Sequence, residues 1–164
     1  AMLLFKQLKV IHKLPRQYVK AMRIAASMYD CGKRIGFKNN ENNSFEIILN
    51  SRILGAGQKD ILLAAFICKT QNLDNLTIAD WMKYKDILTD EDLDAVRKLA
   101  VLLELASAFD KSRTNSIVDI TCDILGDSII MKTIVNGNAT FDIMQAQKVG
   151  ADFKKVLKKS LQII

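Results

Sequence analysis

The spacing of apolar residues changes once along these 164 residues, and that change limits the fold more than any other feature. Up to about Arg113, apolar side chains recur every three or four residues, the period of a helix with one buried face. From Ile117 the period drops: Ile117, Asp119, Thr121 and Asp123 alternate with Val118, Ile120, Cys122 and Ile124. Period two is the pattern of a half-buried strand. One proline and seven glycines leave few interruptions, so short loops should join the elements. The expectation is a mostly α chain, with a helical body over about 1–113 and a small α+β appendage over 114–164, made of a hairpin, a helix and a short strand.

Local signals fill in that outline. Leu3, Leu4, Leu8 and Ile11 lie on one helical face, and no cap precedes them, so the chain reads as part of a longer protein. Pro15 suits the first turn of a second helix running to about Asp30. Lys38 to Asn43 reads as a polar loop, with Ser44 capping a helix from Phe45 to Leu54. Gly55-Ala56-Gly57 breaks the chain before an apolar helix from Gln58 to Thr70. Thr77 and Asp80 have capping-box spacing ahead of Trp81. Thr89 followed by Asp90, Glu91 and Asp92 starts a helix to about Asp110, with acids where the helix dipole favours them. Gly126-Asp127 is a hairpin turn between the alternating run and the β-branched run Ile129 to Val135. After the turn Asn136-Gly137-Asn138 comes a helix from Thr140 to Lys158, disturbed at Gly150, and then a short strand from Ser160 to Ile164.

Composition removes several function classes. The longest apolar run, Ile61 to Cys68, is far short of the ~20 residues that cross a bilayer. A basic amphipathic pattern, not a small-residue cleavage site, follows the apolar N-terminus, so no signal peptide is read. Cys31, Cys68 and Cys122 are odd in number and widely spaced, which fits reduced thiols in the cytoplasm. The single histidine, His12, cannot build an imidazole-rich metal centre, and carboxylate sites for magnesium or calcium stay open. Neither a GxSxG elbow nor a GxxxxGK[ST] loop is present.

The net charge of +6 points to an anionic partner or to solubility alone. Lysines and arginines gather along residues 6–23, at Lys33, Arg34 and Lys38, and from Lys154 to Lys159. Such spacing makes either a solvated helical face or a groove that tracks phosphates. Aromatics are sparse among these clusters, with only Tyr18 and Phe37 between basic residues, which disfavours a single-stranded nucleic-acid platform.

Four segments together resemble the C-terminal HD-like domain of Ppx/GppA exopolyphosphatases and guanosine pentaphosphate phosphatases. Ala25-Ala26-Ser27-Met28-Tyr29-Asp30-Cys31-Gly32 resembles the family's AAxLHDIG segment. Ser44 to Ser51 resembles HSxYLIxNS, and Gly55 to Asp60 fits the GxSxxE turn that follows. Leu102 to Arg113 is similar to LLRLADALDRSR. The departures fall on the metal ligands: the HD doublet reads Tyr29-Asp30, a histidine-bearing stretch reads Glu41-Asn42-Asn43, and YHR reads Thr70-Gln71-Asn72. Only Asp30 and Asp110 remain as candidate ligands, so Tyr29, Asp30 and Asp110 are vestigial positions and no metal is expected.

What the resemblance implies is an accessory, non-catalytic domain of an exopolyphosphatase-type enzyme. Polyphosphate or guanosine pentaphosphate would be the substrate of the parent, which would be a homodimer without a membrane segment. A divalent metal, magnesium or manganese, would belong to a separate catalytic domain, and this chain would need no cofactor. Lys33, Arg34, Arg52 and Arg113 flank the family-like segments and are the candidate phosphate contacts. The rival expectations are a residual metal-dependent phosphohydrolase using Asp30 and Asp110, and a purely structural or dimerisation module.

Overall fold

A computed structural model describes residues 1–164, and they fall into two compact units. One comprises Leu14–Leu103; the other comprises Ala1–Lys13 with Glu104–Ile164. The division expected at residue 113 differs from this. The strand-bearing unit takes in the first two helices and the last turn of the long helix as well as the appendage.

The unit from Leu14 to Leu103 is helical throughout. The first helices of the chain belong to the other unit: α1 (Met2–Gln7) and α2 (Lys9–His12) are separated by a bend at Leu8. Here the chain enters through Pro15, which precedes a single 3-10 turn at Arg16–Tyr18, and continues into α3 (Val19–Met28). A 3-10 turn at Cys31–Arg34 leads to α4 (Asn40–Leu49), then α5 (Gln58–Lys69), α6 (Ile78–Met82) and α7 (Asp90–Ala108). Residues Leu62 to Cys68 of α5 are all buried, so the longest apolar run in the sequence is the central helix of this unit. Phe66 holds the aromatic core together, with Phe45, Trp81 and Tyr84 at centroid distances of 5.0, 5.0 and 5.7 Å.

The start of α4 corrects the sequence expectation. Ser44 does not cap this helix; it lies inside it, and Asn40 to Asn43, expected as loop, form its first turn. Asn39 turns the chain with φ 60, a conformation asparagine tolerates better than most residues. Asn43 and Ser44 are held inside the helix by hydrogen bonds to the turn at Gly32, described below, whereas the buried Asn40 Oδ1 has no partner. The two threonine caps do appear. The Asp80 amide donates to Thr77 Oγ1 at 3.2 Å, and Thr89 and Asp92 bond reciprocally, the Thr89 amide reaching Asp92 Oδ2 at 2.9 Å.

The second unit carries a three-stranded sheet in the order β1-β2-β3. β1 (Ile117–Leu125) and β2 (Ser128–Val135) form the expected hairpin, with an irregularity between Ile117 and Asp119. α8 (Thr140–Lys148) and α9 (Gly150–Leu157) carry the chain across, so β3 (Ser160–Ile163) returns parallel to β2. The break expected near Gly150 falls at Val149. Ile120, Ile129, Met131 and Ile163 are buried, as are Val149, Phe153 and Leu157 of the crossover. Gln7 Nε2 donates to the Ile120 carbonyl, which occupies an acceptor of the edge strand.

Candidate functional site

The family-like segments of the first unit meet at the end of α3. The Tyr29 carbonyl lies where the helix stops, and two side chains bond to it: Gln71 Nε2 at 3.2 Å and Ser44 Oγ at 3.4 Å. Ser44 Oγ also accepts from the Gly32 amide at 2.9 Å. Asn43 Nδ2 reaches the carbonyls of Gly32 and Gly36 at 3.5 and 3.4 Å. Gln71 Nε2 further contacts the Cys68 carbonyl at 3.3 Å. Three neutral side chains from two other segments thus hold the turn that follows Tyr29.

Glycine is required at the centre of this arrangement. A Cβ on Gly32 would lie 2.2 Å from the Asn40 carbonyl oxygen and 2.5 Å from the Ser44 amide. Both are backbone atoms of α4 and cannot swing aside. The close approach is what lets Ser44 and Asn43 bond the turn.

The electrostatics around the turn are weakly cationic. Asp30 pairs with Lys33 at 3.5 Å, and Lys33 Nζ lies 5.9 Å from the centre of the Tyr29 ring. Arg34 is exposed at the end of the same turn. Arg52 is exposed in the loop after α4. Of the four candidate phosphate contacts, Lys33, Arg34 and Arg52 belong to this unit, and Lys33 and Arg34 share one turn.

Arg113 belongs to the strand-bearing unit, exposed and at φ 57. Asp142, buried on the first turn of α8, organises the segment around it. It accepts from the Ser112 amide at 2.7 Å and from Ser112 Oγ at 2.6 Å. The hydroxyls of Ser112, Thr114 and Ser116 then join at 2.7 and 2.6 Å. Asp110 is exposed ahead of this segment.

The donor set around Tyr29 does not suit a divalent metal. Gln71 and Asn43 use amide N–H groups on carbonyl oxygens, and Ser44 is engaged on both sides. Tyrosine and asparagine also replace the imidazoles that such a centre would need. No three His, Cys, Asp or Glu side chains gather in an arrangement able to hold a metal ion. His12, fully buried, places Nε2 2.8 Å from the Phe5 carbonyl and stacks on the Phe5 ring.

The cysteines and one carboxylate show how burial acts. Burial, with Cys31 as a lesser cause, raises the Cys68 thiol well above its ordinary range, and Cys68 Sγ contacts the Ala25 carbonyl at 3.6 Å. Cys122 is pushed up to about 11 by burial and by Asp123. Such thiols are poor nucleophiles. Glu104 is raised to about 7 by burial and then by Asp152, with Lys111 opposing.

Sequence reasoning named Ser44, Asn43 and Gln71 only as a cap and as lost ligands. Their shared role at the Tyr29 turn was not read, although one signal existed: two of them, Asn43 and Gln71, fall in the stretches where the resembled segments would carry histidine. No helix is long and apolar enough to cross a membrane.

The family model described as Ppx/GppA phosphatase, domain III, matches residues 1–156. No curated protein sequence matches the chain.

Proposed function

The chain belongs to the Ppx/GppA phosphatases as their domain III, and from that premise we propose that it is a non-catalytic polyanion-binding domain of its parent enzyme. The observation that carries this reading is the closed turn at Tyr29. There the Ser44 hydroxyl and the NH2 groups of Asn43 and Gln71 bond backbone groups of the turn. Neutral side chains bound to a turn, with no cluster of three His, Cys, Asp or Glu beside them, suit scaffolding rather than metal-assisted activation of water.

The substrate would be polyphosphate or guanosine pentaphosphate, handled by the parent. Lys33, Arg34, Arg52 and Arg113 would contact its phosphates. Guanidinium groups suit this task because their planar N–H pairs match phosphate oxygens. Dimerisation of the parent belongs to the same proposal, supported by Ile35, Phe37 and Leu54, which expose 68, 83 and 91% of their surfaces.

The test is a titration of the purified chain with long-chain polyphosphate at low and moderate salt, with a short oligophosphate as control. Length-dependent binding that weakens with salt is expected. Changing Arg34 and Arg52 to glutamine should weaken it several-fold, by about 1 kcal/mol or more. Absence of binding at low salt would leave a structural module. Phosphate release by this chain in added manganese or magnesium would restore the phosphohydrolase alternative. A clean monomer in light scattering at high concentration would count against dimerisation through this domain.

A further inference from the structure

Asn136 and Gly137 form the sole asparagine–glycine step in the sequence. They stand just after β2, ahead of α8, and both are exposed. Gly137 has φ 98, and a Cβ built on it would meet nothing within 4 Å. The main chain is anchored on one side only. The Asn136 amide donates to the Ser116 carbonyl at 2.7 Å, beside the Ile117–Val135 pair that ends the hairpin. The Gly137 amide makes no backbone hydrogen bond.

The Asn136 side chain is equally unheld, and this sets it apart from other asparagines. Asn43 Nδ2 reaches the Gly32 and Gly36 carbonyls, Asn50 Nδ2 donates to the Glu46 carbonyl at 2.8 Å, and Asn72 Oδ1 accepts from the Asp74 amide at 3.1 Å. Two residues on, Asn138 Oδ1 accepts from the Thr140 amide at 3.0 Å. The Asn136 carboxamide makes no hydrogen bond, so nothing keeps its Cγ from the amide that follows. Glycine places no Cβ beside that nitrogen. An N–H without an acceptor also gives up its proton without first breaking a hydrogen bond.

We propose that Asn136 is a site of spontaneous deamidation, through a succinimide closed by the Gly137 nitrogen. The Gly137 N–H gives its proton to hydroxide, and the nitrogen bonds to Asn136 Cγ. The Cγ–Nδ2 bond breaks, and Nδ2 leaves as ammonia with a proton from water, which restores the hydroxide. Water then opens the imide. Attack at Cγ yields aspartate, and attack at the Asn136 main-chain carbonyl yields isoaspartate. The sum is one water taken up and one ammonia released, with no oxidant or cofactor consumed. Either product places a carboxylate at the end of β2 and lowers the net charge of +6 by one. Isoaspartate also routes the main chain through Cγ, which adds a methylene between the Ser116 anchor and Gly137.

The experiment incubates the 164-residue chain at pH 8 and at pH 6 and follows the tryptic peptide Thr133–Lys148 by mass spectrometry, with a zero-time sample as blank. That peptide carries Asn136 and Asn138 together, so the held asparagine is an internal control. The expected result is a gain of about 1 Da localised to Asn136. It should appear in two chromatographically separate forms, one of them a substrate for an isoaspartyl methyltransferase. It should form at least about tenfold faster at pH 8 than at pH 6, because hydroxide removes the Gly137 proton. Asn136→Gln, whose longer side chain has to close a larger ring, should keep the circular dichroism of the parent and lose the gain. A gain seen only in a urea-unfolded sample would show that the folded turn protects the step, and overturns the proposal. Equal rates at Asn136 and Asn138, or a rate independent of pH, overturn it as well.

Discussion

The long helix α7 carries a partly or wholly buried carboxylate near each end, and the two behave oppositely. Asp92 sits in the first turn, 1% exposed. Burial acts to raise its pKa, but the Lys59 ammonium at 2.7 Å, the Thr89 amide and hydroxyl and the Tyr18 hydroxyl outweigh burial and hold it below the usual carboxylate range. Glu104 sits in the last turns. Its Oε2 is buried without a hydrogen-bond partner, and burial and Asp152 push it up to about 7. The N-terminus of a helix offers amides and positive dipole, whereas the C-terminus offers carbonyls. The pair teaches that a buried acid is stabilising only where donors converge on it, and that its position along a helix decides much of that.

Removing the satisfied acid should have the largest effect. Asp92→Ala removes the carboxylate that accepts from the Thr89 amide and the buried Tyr18 hydroxyl and that pairs with Lys59, so a loss of about 3 kcal/mol is expected in urea unfolding. A loss below about 1 kcal/mol would break the contrast at its stronger end. Asp92 also sets an acid limit. Its pKa is lowered on folding, so its contribution is present above the ordinary carboxylate pKa and fades as pH falls through the folded value.

Relieving the unsatisfied acid should come next, with opposite sign. Glu104 ionises more readily unfolded, near 4.5, than folded, near 7. The folded state therefore holds the extra proton between those values, and stability falls as pH rises from about 4.5 to 7, then levels. Glu104→Gln should match the parent at pH 4 and exceed it by about 1–3 kcal/mol at pH 8, the part-exposed side chain keeping the gain below the full shift. Equal stability at both pH values would show that Glu104 finds a partner in solution.

The smallest effect sharpens the comparison within the strand-bearing unit itself. Asp142 is buried like Asp92 but receives its bonds from one residue, the amide and hydroxyl of Ser112. Ser112→Ala removes the hydroxyl and keeps the amide, so a loss of about 1 kcal/mol is expected by thermal unfolding. A loss as large as that of Asp92→Ala would mean that the hydroxyl chain through Thr114 and Ser116 acts as one network.

Much of the fold was legible in single residues. The Thr77 and Thr89 caps, the Gly126-Asp127 turn and the change of period at Ile117 act over four residues or fewer, and each appears where the sequence put it. The family-like segments were equally local, which is why the membership was legible too. The site was less so. Arg34 and Arg52 were readable as exposed cations, but the closure of the Tyr29 turn depends on Ser44 and Gln71, fifteen and forty-two residues away in the chain. The start of α4 was misread for the same reason: Asn43 favours a loop until the backbone of the Gly32 turn takes up its side chain.

The sequence by itself determined most of the elements, their order and the presence of a single histidine, because periodicity, caps and residue identity are properties of short stretches. Tertiary structure alone decided that Gly32 lies against the backbone of α4, that β3 returns parallel to β2, and that Glu104 lacks the donors Asp92 enjoys. Those outcomes depend on which groups meet across the chain, and burial makes each unmet hydrogen bond costly enough to matter.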